Sequence, residues 1–214
     1  MQSVHSRIRR FAAGVAALAG FVDAFGFLST RGFFVSFMSG NSTRLAVGIG
    51  DWSAQAAIPA VIIISFIAGV VGGEWIGLRF ATFRARNVLL FSAAWLGVAA
   101  LADTVDQFVL GGAAAALAMG ATNTVFSRED KLPVGLTYMT GTLVLIGHAI
   151  VLRLMRGVHS RTRLLFAHWL ALIGGGVAGV AAFNTLGTTA AWIAVATAAL
   201  LAVLSPRFIS HGAS

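Results

Sequence analysis

Long apolar segments separated by short polar ones run through the whole chain. A helix of about 20 residues spans the roughly 30 Å hydrocarbon core of a bilayer, and most of the segments approach or exceed that length. The pattern therefore predicts an all-α, polytopic helical membrane protein that forms one membrane domain over residues 1–214. The apolar segments are 11–29, 33–50, 56–78, 87–102, 107–126, 134–152, 163–184 and 188–205.

Two of these segments differ from the others, because a cluster of small polar residues interrupts each one midway. Glycine permits an irregular turn, and serine, threonine or asparagine can cap the helix that follows. Segments 33–50 and 134–152 are therefore expected to be interrupted or re-entrant helices. The two clusters are Met38-Ser39-Gly40-Asn41-Ser42-Thr43 and Tyr138-Met139-Thr140-Gly141-Thr142.

The order of the segments indicates an internal repeat with halves at about 11–103 and 107–205. The drift between matching positions is small, since the offset runs from 100 to 103. The matches are GFVDA at 20–24 with GATNT at 120–124, MSGN at 38–41 with MTGT at 139–142, and FIAGVVGGEWIG at 66–77 with WLALIGGGVAGV at 169–180.

The basic residues decide how the two halves are oriented. If all eight segments cross, the halves are parallel and the basic residues divide eight to six between the two sides. If the two interrupted segments dip in and return, 13 basic residues lie on one side and Arg31 alone on the other. The positive-inside rule favours the second arrangement, with six crossings, an inverted repeat and cytoplasmic N- and C-termini. The alternative is seven or eight crossings with a parallel repeat.

Composition supports the membrane class and excludes several others. Charged residues make up 10% of the chain and hydrophobic residues 58%, with a mean hydropathy of +0.88. A soluble domain of this size could not bury that much apolar surface. The net charge of +8 comes from short clusters between apolar runs, so the expected partner is the bilayer and not nucleic acid. The absence of cysteine excludes a disulfide scaffold.

The two polar clusters are the first candidates for a functional site. Two helix N-termini that face each other near the midplane would favour an anion or a neutral polar solute. A small-molecule pathway is therefore expected between the halves, with no catalytic residue, metal or cofactor, because no metal-ligand, phosphate-loop or nucleophile motif occurs. The candidate pathway residues are Asp23, Ser39, Gly40, Asn41, Arg44, Asn123, Thr140, Gly141 and Thr142.

Two ionisable side chains within the apolar segments suggest an ion pair. Asp23 lies about 18 Å into the first segment, and Arg44 follows the first polar cluster. The second half has Asn123 and Leu145 at the matching positions, so both charges are absent there together. The pair either tunes the charge of the pathway or only fixes two helices. His148 is a candidate proton site because its pKa is ordinarily near neutrality, or else a plain interfacial histidine.

Glycines at intervals of four residues predict close helix packing in each half. Small residues at this spacing let transmembrane helices approach one another. The packing is expected either between the halves or between copies of the chain in a homo-oligomer. The glycines are Gly69, Gly73, Gly77, Gly175 and Gly179.

The motifs resemble those of the YoaK family of bacterial membrane proteins, the domain of unknown function 1275. The resemblance rests on Gly20-Phe21-Val22-Asp23-Ala24, Phe34, Met38-Ser39-Gly40-Asn41, Gly120, Asn123 and Tyr138-Met139-Thr140-Gly141-Thr142. Ser39 stands where the family usually has threonine, so the hydroxyl is retained. The resemblance implies a multi-pass protein of the bacterial inner membrane, often described as a permease. The expected function is a permease or channel for a small polar or anionic solute. The alternative is a non-transporting scaffold or accessory subunit.

Overall fold

The chain folds into α-helices joined by short connections. A computed structural model describes residues 2–126, 139–156 and 162–208, and no strand occurs in these ranges. The all-α class is therefore confirmed. The described helices are α1 (Gln2–Ser29), α2 (Met38–Gly50), α3 (Ala57–Arg79), α4 (Arg84–Thr104), α5 (Phe108–Thr122), α6 (Met139–Arg156), α7 (Thr162–Leu186) and α8 (Ala191–Phe208), with short 3-10 helices at Ala54–Ala56, Ala81–Phe83 and Gly187–Ala190.

Most of the helices have the length and composition of membrane spans, which confirms the polytopic membrane class. Helix α5, with 15 residues, is apolar but shorter than these spans, and α2 has only 13 residues. Large apolar side chains such as Ile64 and Leu78 are 66% and 70% exposed, as expected of a surface that faces lipid. Five stretches are long and apolar enough to cross a membrane: Arg7–Ser29, Ala54–Arg79, Ala81–Thr104, Met139–Arg156 and Arg163–Pro206, the last of which contains both α7 and α8.

Helices α1 and α5, which correspond in the two halves, run antiparallel. The Phe11 ring near the start of α1 lies 5.9 Å from the Phe126 ring just beyond α5. At the other end, the Arg31 guanidinium lies 4.5 Å from the centre of the Phe108 ring at the start of α5. An inverted repeat requires this relation, whereas a parallel repeat would align the two helices. We call the end where α1 begins the basic end, and the end at Arg31 the acidic end.

The strongest packing crosses from one half to the other, with α1 against α7 and α3 against α5. The contacts are matched: a Cβ atom at Gly175 would overlap the carbonyl of Ala17, and one at Gly69 would overlap the carbonyl of Leu117. Ala17 of α1 and Leu117 of α5 are 100 positions apart in the sequence, and Gly69 of α3 and Gly175 of α7 are 106 positions apart. The sequence alignment of the two halves gives 103 for α3 and α7, three residues fewer.

The glycine-rich faces are therefore occupied within a single copy of the chain. Gly73 packs against Ala121, and Gly179 packs against the Phe21 backbone. Gly77 is covered by the Arg84 side chain. Gly69, Gly73, Gly175 and Gly179 therefore pack between the two halves, as one of the two predicted arrangements requires.

Segment 33–50 leaves the acidic end, dips into the bundle and returns. The backbone N–H groups of Val35 and Ser36 bond to the side chain of Asp23, which lies about 10 Å below the end of α1 at 1.5 Å per residue. Helix α2 then leads back to the acidic end, where Gly48 packs against Ala56 just before α3. Its 13 residues span only about 20 Å. The first interrupted segment is thus re-entrant, and its ends lie on one side.

In the second half, the end of α5 and the start of α7 lie at the same end of the bundle. Helix α5 finishes at the basic end, and α7 begins there because it runs parallel to α1: Gly175 contacts Ala17 and Gly179 contacts Phe21. Helix α6, which lies between them in the chain, is long and apolar enough to cross a membrane. Tyr138, part of the second polar cluster, lies outside the described residues.

Candidate functional site

The re-entrant loop before α2 is held by the carboxylate of Asp23. One carboxylate oxygen, Oδ1, accepts hydrogen bonds from the backbone N–H of Val35 at 3.0 Å and of Ser36 at 2.8 Å. Asp23 is 4% exposed, and both donors are buried. Residues 33–37 have no helical partners for their N–H groups, and an unpaired N–H at this depth costs several kcal/mol. The carboxylate therefore stabilises the irregular backbone of the loop.

Asn41 holds the same loop from the other side. Its Oδ1 accepts from the Phe34 N–H at 3.1 Å, and its Nδ2 donates to the Phe34 carbonyl at 2.6 Å. The side chain is fully buried. The asparagine side-chain amide presents an acceptor and a donor side by side, so it bonds to both the N–H and the C=O of one residue, as a neighbouring strand would. Asp23 and Asn41 together fix residues 34–36 between α1 and α2.

The first polar cluster has a different role from the one predicted. Helix α2 begins at Met38, and its N-cap residue Phe37 receives no side-chain cap bond. Ser39, Gly40 and Asn41 therefore lie within the first turn and cap nothing. Ser39 is exposed, and Gly40 leaves room for the Phe34 ring, which a Cβ atom would approach to 2.8 Å.

The predicted ion pair between Asp23 and Arg44 is not formed in the structure. The Arg44 guanidinium lies 5.0 Å from the centre of the Phe33 ring, and the side chain is exposed. Two peptide N–H groups satisfy Asp23 instead, and α2 carries Arg44 away from it toward the acidic end. The buried Asp23 carboxylate is thus stabilised by N–H groups of the loop backbone and not by a basic side chain.

The second polar cluster begins a helix in the same way, since α6 starts at Met139. Thr142 is buried like Asn41, while Thr140 and His148 are exposed and Gly141 is half-buried. Asn123, at the position that matches Asp23, donates to the Met119 carbonyl at 2.9 Å.

The two motif helices do not pack extensively against each other within the described ranges. Helix α2 packs on α3, and α6 packs on α7. The residues predicted to meet at one constriction are therefore divided between two sites, one in each half.

A cavity that sequence reasoning missed lies at the acidic end between α1, α4, α5 and α8. Its volume is about 20 Å³, which holds about one water molecule. Asp103 supplies its charge, and its carboxylate lies against α5 where Gly111 has no side chain: a Cβ there would be 2.6 Å from Oδ1. Thr30 adds a hydroxyl that bonds to the Gly26 and Phe33 carbonyls.

The sequence contained a signal for this cavity. Asp103 follows directly on the apolar segment 87–102, and Gly111-Gly112 opens the next helix. A carboxylate at the end of one span, opposite a pair of glycines at the start of the next, leaves a small space beside the carboxylate.

The basic end is closed by polar contacts between the ends of three helices. Arg84 at the start of α4 pairs with Glu74 of α3, and its Nε donates to the Thr124 carbonyl at 2.9 Å. Deeper in the bundle, the buried hydroxyls of Thr122 and Ser92 bond at 3.1 Å. Polar contacts thus join the helices toward the basic end, and the small cavity beside Asp103 lies toward the acidic end.

Comparison with known proteins identifies a family of transmembrane proteins. Residues 11–204 match the profile of a family described as a protein of unknown function, DUF1275. A UPF0700 transmembrane protein of Rhizobium meliloti (strain 1021) is 36% identical over 191 residues, which are 88% of this chain and 82% of that protein. No solved structure matches the chain. Both the profile match and the relative extend over nearly all of the helices described above, and the chain belongs to the DUF1275 family of transmembrane proteins.

Proposed function

We propose that the protein is a permease for a small polar solute, with its pathway between the two halves. The observation that carries this proposal is the re-entrant segment held in the bundle by Asp23 and Asn41. Irregular backbone at membrane depth is tolerated where protein or a water-filled cavity surrounds it, and interrupted helices line the substrate sites of many transporters. A protein that only filled the bilayer would have no need of such a segment.

The proposed topology has six crossings: α1, α3, α4, α5, α7 and α8. Helices α1 and α8 place both described ends of the chain together, since the rings of Phe11 and Phe208 lie 5.7 Å apart. Arg79 and Arg84 lie at that end, while Asp103 and Asp106 lie at the other. The positive-inside rule then puts the basic end in the cytoplasm of a bacterium, with the inner membrane as the site.

The cavity at the acidic end is the proposed outward mouth. Because Asp103 carries its charge, the mouth favours a neutral or cationic solute over an anion. The expectation of an anion rested on two facing helix N-termini, and α2 and α6 do not pack together in that way. A cavity of about 20 Å³ admits little more than a water molecule, so passage of a larger solute requires movement of the helices.

Flux through purified protein in liposomes tests the proposal. Re-swelling after an osmotic step would be followed by light scattering with glycerol, urea, methylammonium chloride and sodium formate as probes. We expect glycerol, urea or methylammonium to enter faster than in protein-free liposomes. The Asp103→Asn variant should lower the methylammonium rate about tenfold, because a carboxylate in a narrow mouth concentrates cations. Asp51→Asn removes an exposed carboxylate outside the cavity and should leave the rate unchanged.

Two results would count against this function. If none of the four probes enters faster than in protein-free liposomes, while the protein remains folded, the scaffold or accessory role becomes the better account. If formate alone is accelerated, transport stands but the assignment of the Asp103 cavity as the mouth is wrong.

A further inference from the structure

A groove between α6 and α7 opens on the surface of the bundle near the basic end. Its volume is about 470 Å³, much larger than the cavity between the halves. Helix α6 packs on α7, and the two helices leave this space between them. The groove is lined by Ile150, Arg153, Leu154, Arg163, Phe166, Ala167 and Leu170.

Most of the groove wall is apolar and open to the surroundings. Leu154 is 80% exposed, Leu170 is 56% exposed and Phe166 is 39% exposed. In a bilayer this wall faces hydrocarbon, so it suits an acyl chain and does not suit a hydrated ion.

Two arginines complete the lining, one from each helix. Arg153 lies three residues before the end of α6, and Arg163 is the second residue of α7. Both are exposed, and neither forms an ion pair with any residue in the described ranges. Their position at the helix ends puts two guanidinium groups at the headgroup level, above the apolar wall. Guanidinium groups bind phosphate oxygens through paired hydrogen bonds.

We propose that this groove binds an anionic phospholipid, with the phosphate between Arg153 and Arg163 and an acyl chain along Leu154, Phe166 and Leu170. The charge of the two arginines selects an anionic headgroup, and the apolar wall selects a lipid over a free anion. Basic pockets between transmembrane helices at the headgroup level are the sites where anionic lipids bind. This site is separate from the proposed solute pathway and does not depend on it.

Lipid binding to the purified full-length protein in detergent tests this site. Phosphatidylglycerol and phosphatidylcholine with the same acyl chains would be titrated, with bound lipid counted by native mass spectrometry. We expect tighter binding of phosphatidylglycerol and a loss of about fivefold for each arginine replaced in Arg153→Gln and Arg163→Gln. Ala167→Trp fills the groove without changing its charge and should weaken binding as well. The matched control is Arg79→Gln with Arg86→Gln, which removes two exposed arginines beside other helices.

Several outcomes would overturn the proposal. Equal binding of the two lipids, or unchanged binding by the Arg153→Gln/Arg163→Gln variant, would show that the arginines do not select the headgroup. An equal loss in the control variant would reduce the effect to general surface charge. Displacement of the lipid by an equimolar amount of inorganic phosphate would identify the groove as a site for a free anion. Glutamine at these exposed positions leaves the helix packing intact, so a binding result is obtained in each case.

Discussion

Replacement of Gly175 by alanine is expected to prevent stable folding. A Cβ atom at this position would overlap the backbone carbonyl of Ala17, and two backbones cannot move apart without separating α1 from α7. Overpacking of a well-packed contact costs about 1–3 kcal/mol and occasionally more, and here the obstructing atom is backbone. We expect the free energy of unfolding to fall by more than about 3 kcal/mol, measured by thermal or denaturant unfolding in detergent.

The adjacent residue provides a matched control for this substitution. A Cβ atom at Gly174 would meet nothing within 4 Å, so Gly174→Ala should be neutral or stabilise the helix by up to about 1 kcal/mol. Gly69→Ala should repeat the loss, because its Cβ would overlap the Leu117 carbonyl, and Gly97→Ala should not. Equal stability of the Gly174→Ala and Gly175→Ala proteins would contradict the packing of α1 on α7.

Replacement of Asp23 by leucine is expected to release the re-entrant loop. The change removes the acceptor of two buried N–H groups, those of Val35 and Ser36. Each orphaned buried group costs about 1–3 kcal/mol, so stability should fall by about 2–6 kcal/mol. Asp23→Asn keeps a side-chain oxygen that can accept from the same N–H groups and should cost less than about 1.5 kcal/mol.

Loop release has a readout of its own, because the chain contains no cysteine. Ser36 is 5% exposed, so a Ser36→Cys thiol should resist a soluble thiol reagent while Asp23 is present. The same cysteine should react when Asp23→Leu is added and should stay protected with Asp23→Asn. If the leucine and asparagine proteins have the same stability and the same labelling, Asp23 does not hold the loop.

The sequence predicted the class and the inverted order of the helices, but not the partners of individual residues. The bilayer sets the length of the apolar segments and the side on which basic residues accumulate, so both patterns can be read along the chain. Together they predict an inverted repeat, in which α1 and α5 run antiparallel. The offset of 106 between α3 and α7 did not follow, because several glycine alignments fit equally well until the carbonyl contacts of Gly69 and Gly175 are known.

The candidate site shows why chemistry was harder to predict. Asp23 was expected to need a cation, since a buried charge usually has one, yet two peptide N–H groups satisfy it. Asn41 was predicted to line a pathway, and in the structure its side chain pairs with the Phe34 backbone. Hydrogen bonds to an irregular backbone depend on a loop conformation that no residue pattern specifies. The cavity beside Asp103 was missed because it forms only where four helices meet.

The central claim, that segment 33–50 returns to the side from which it enters, is tested most directly by thiol labelling in intact cells. A single cysteine would replace Arg31, which precedes the segment, Gln55, which follows it, or Thr82, which follows α3; all three are exposed. The six-crossing account predicts that Arg31→Cys and Gln55→Cys both react with a membrane-impermeant reagent in intact cells, and that Thr82→Cys reacts only after permeabilisation. Labelling of only one of Arg31→Cys and Gln55→Cys in intact cells would mean that the segment crosses the membrane and would contradict the account.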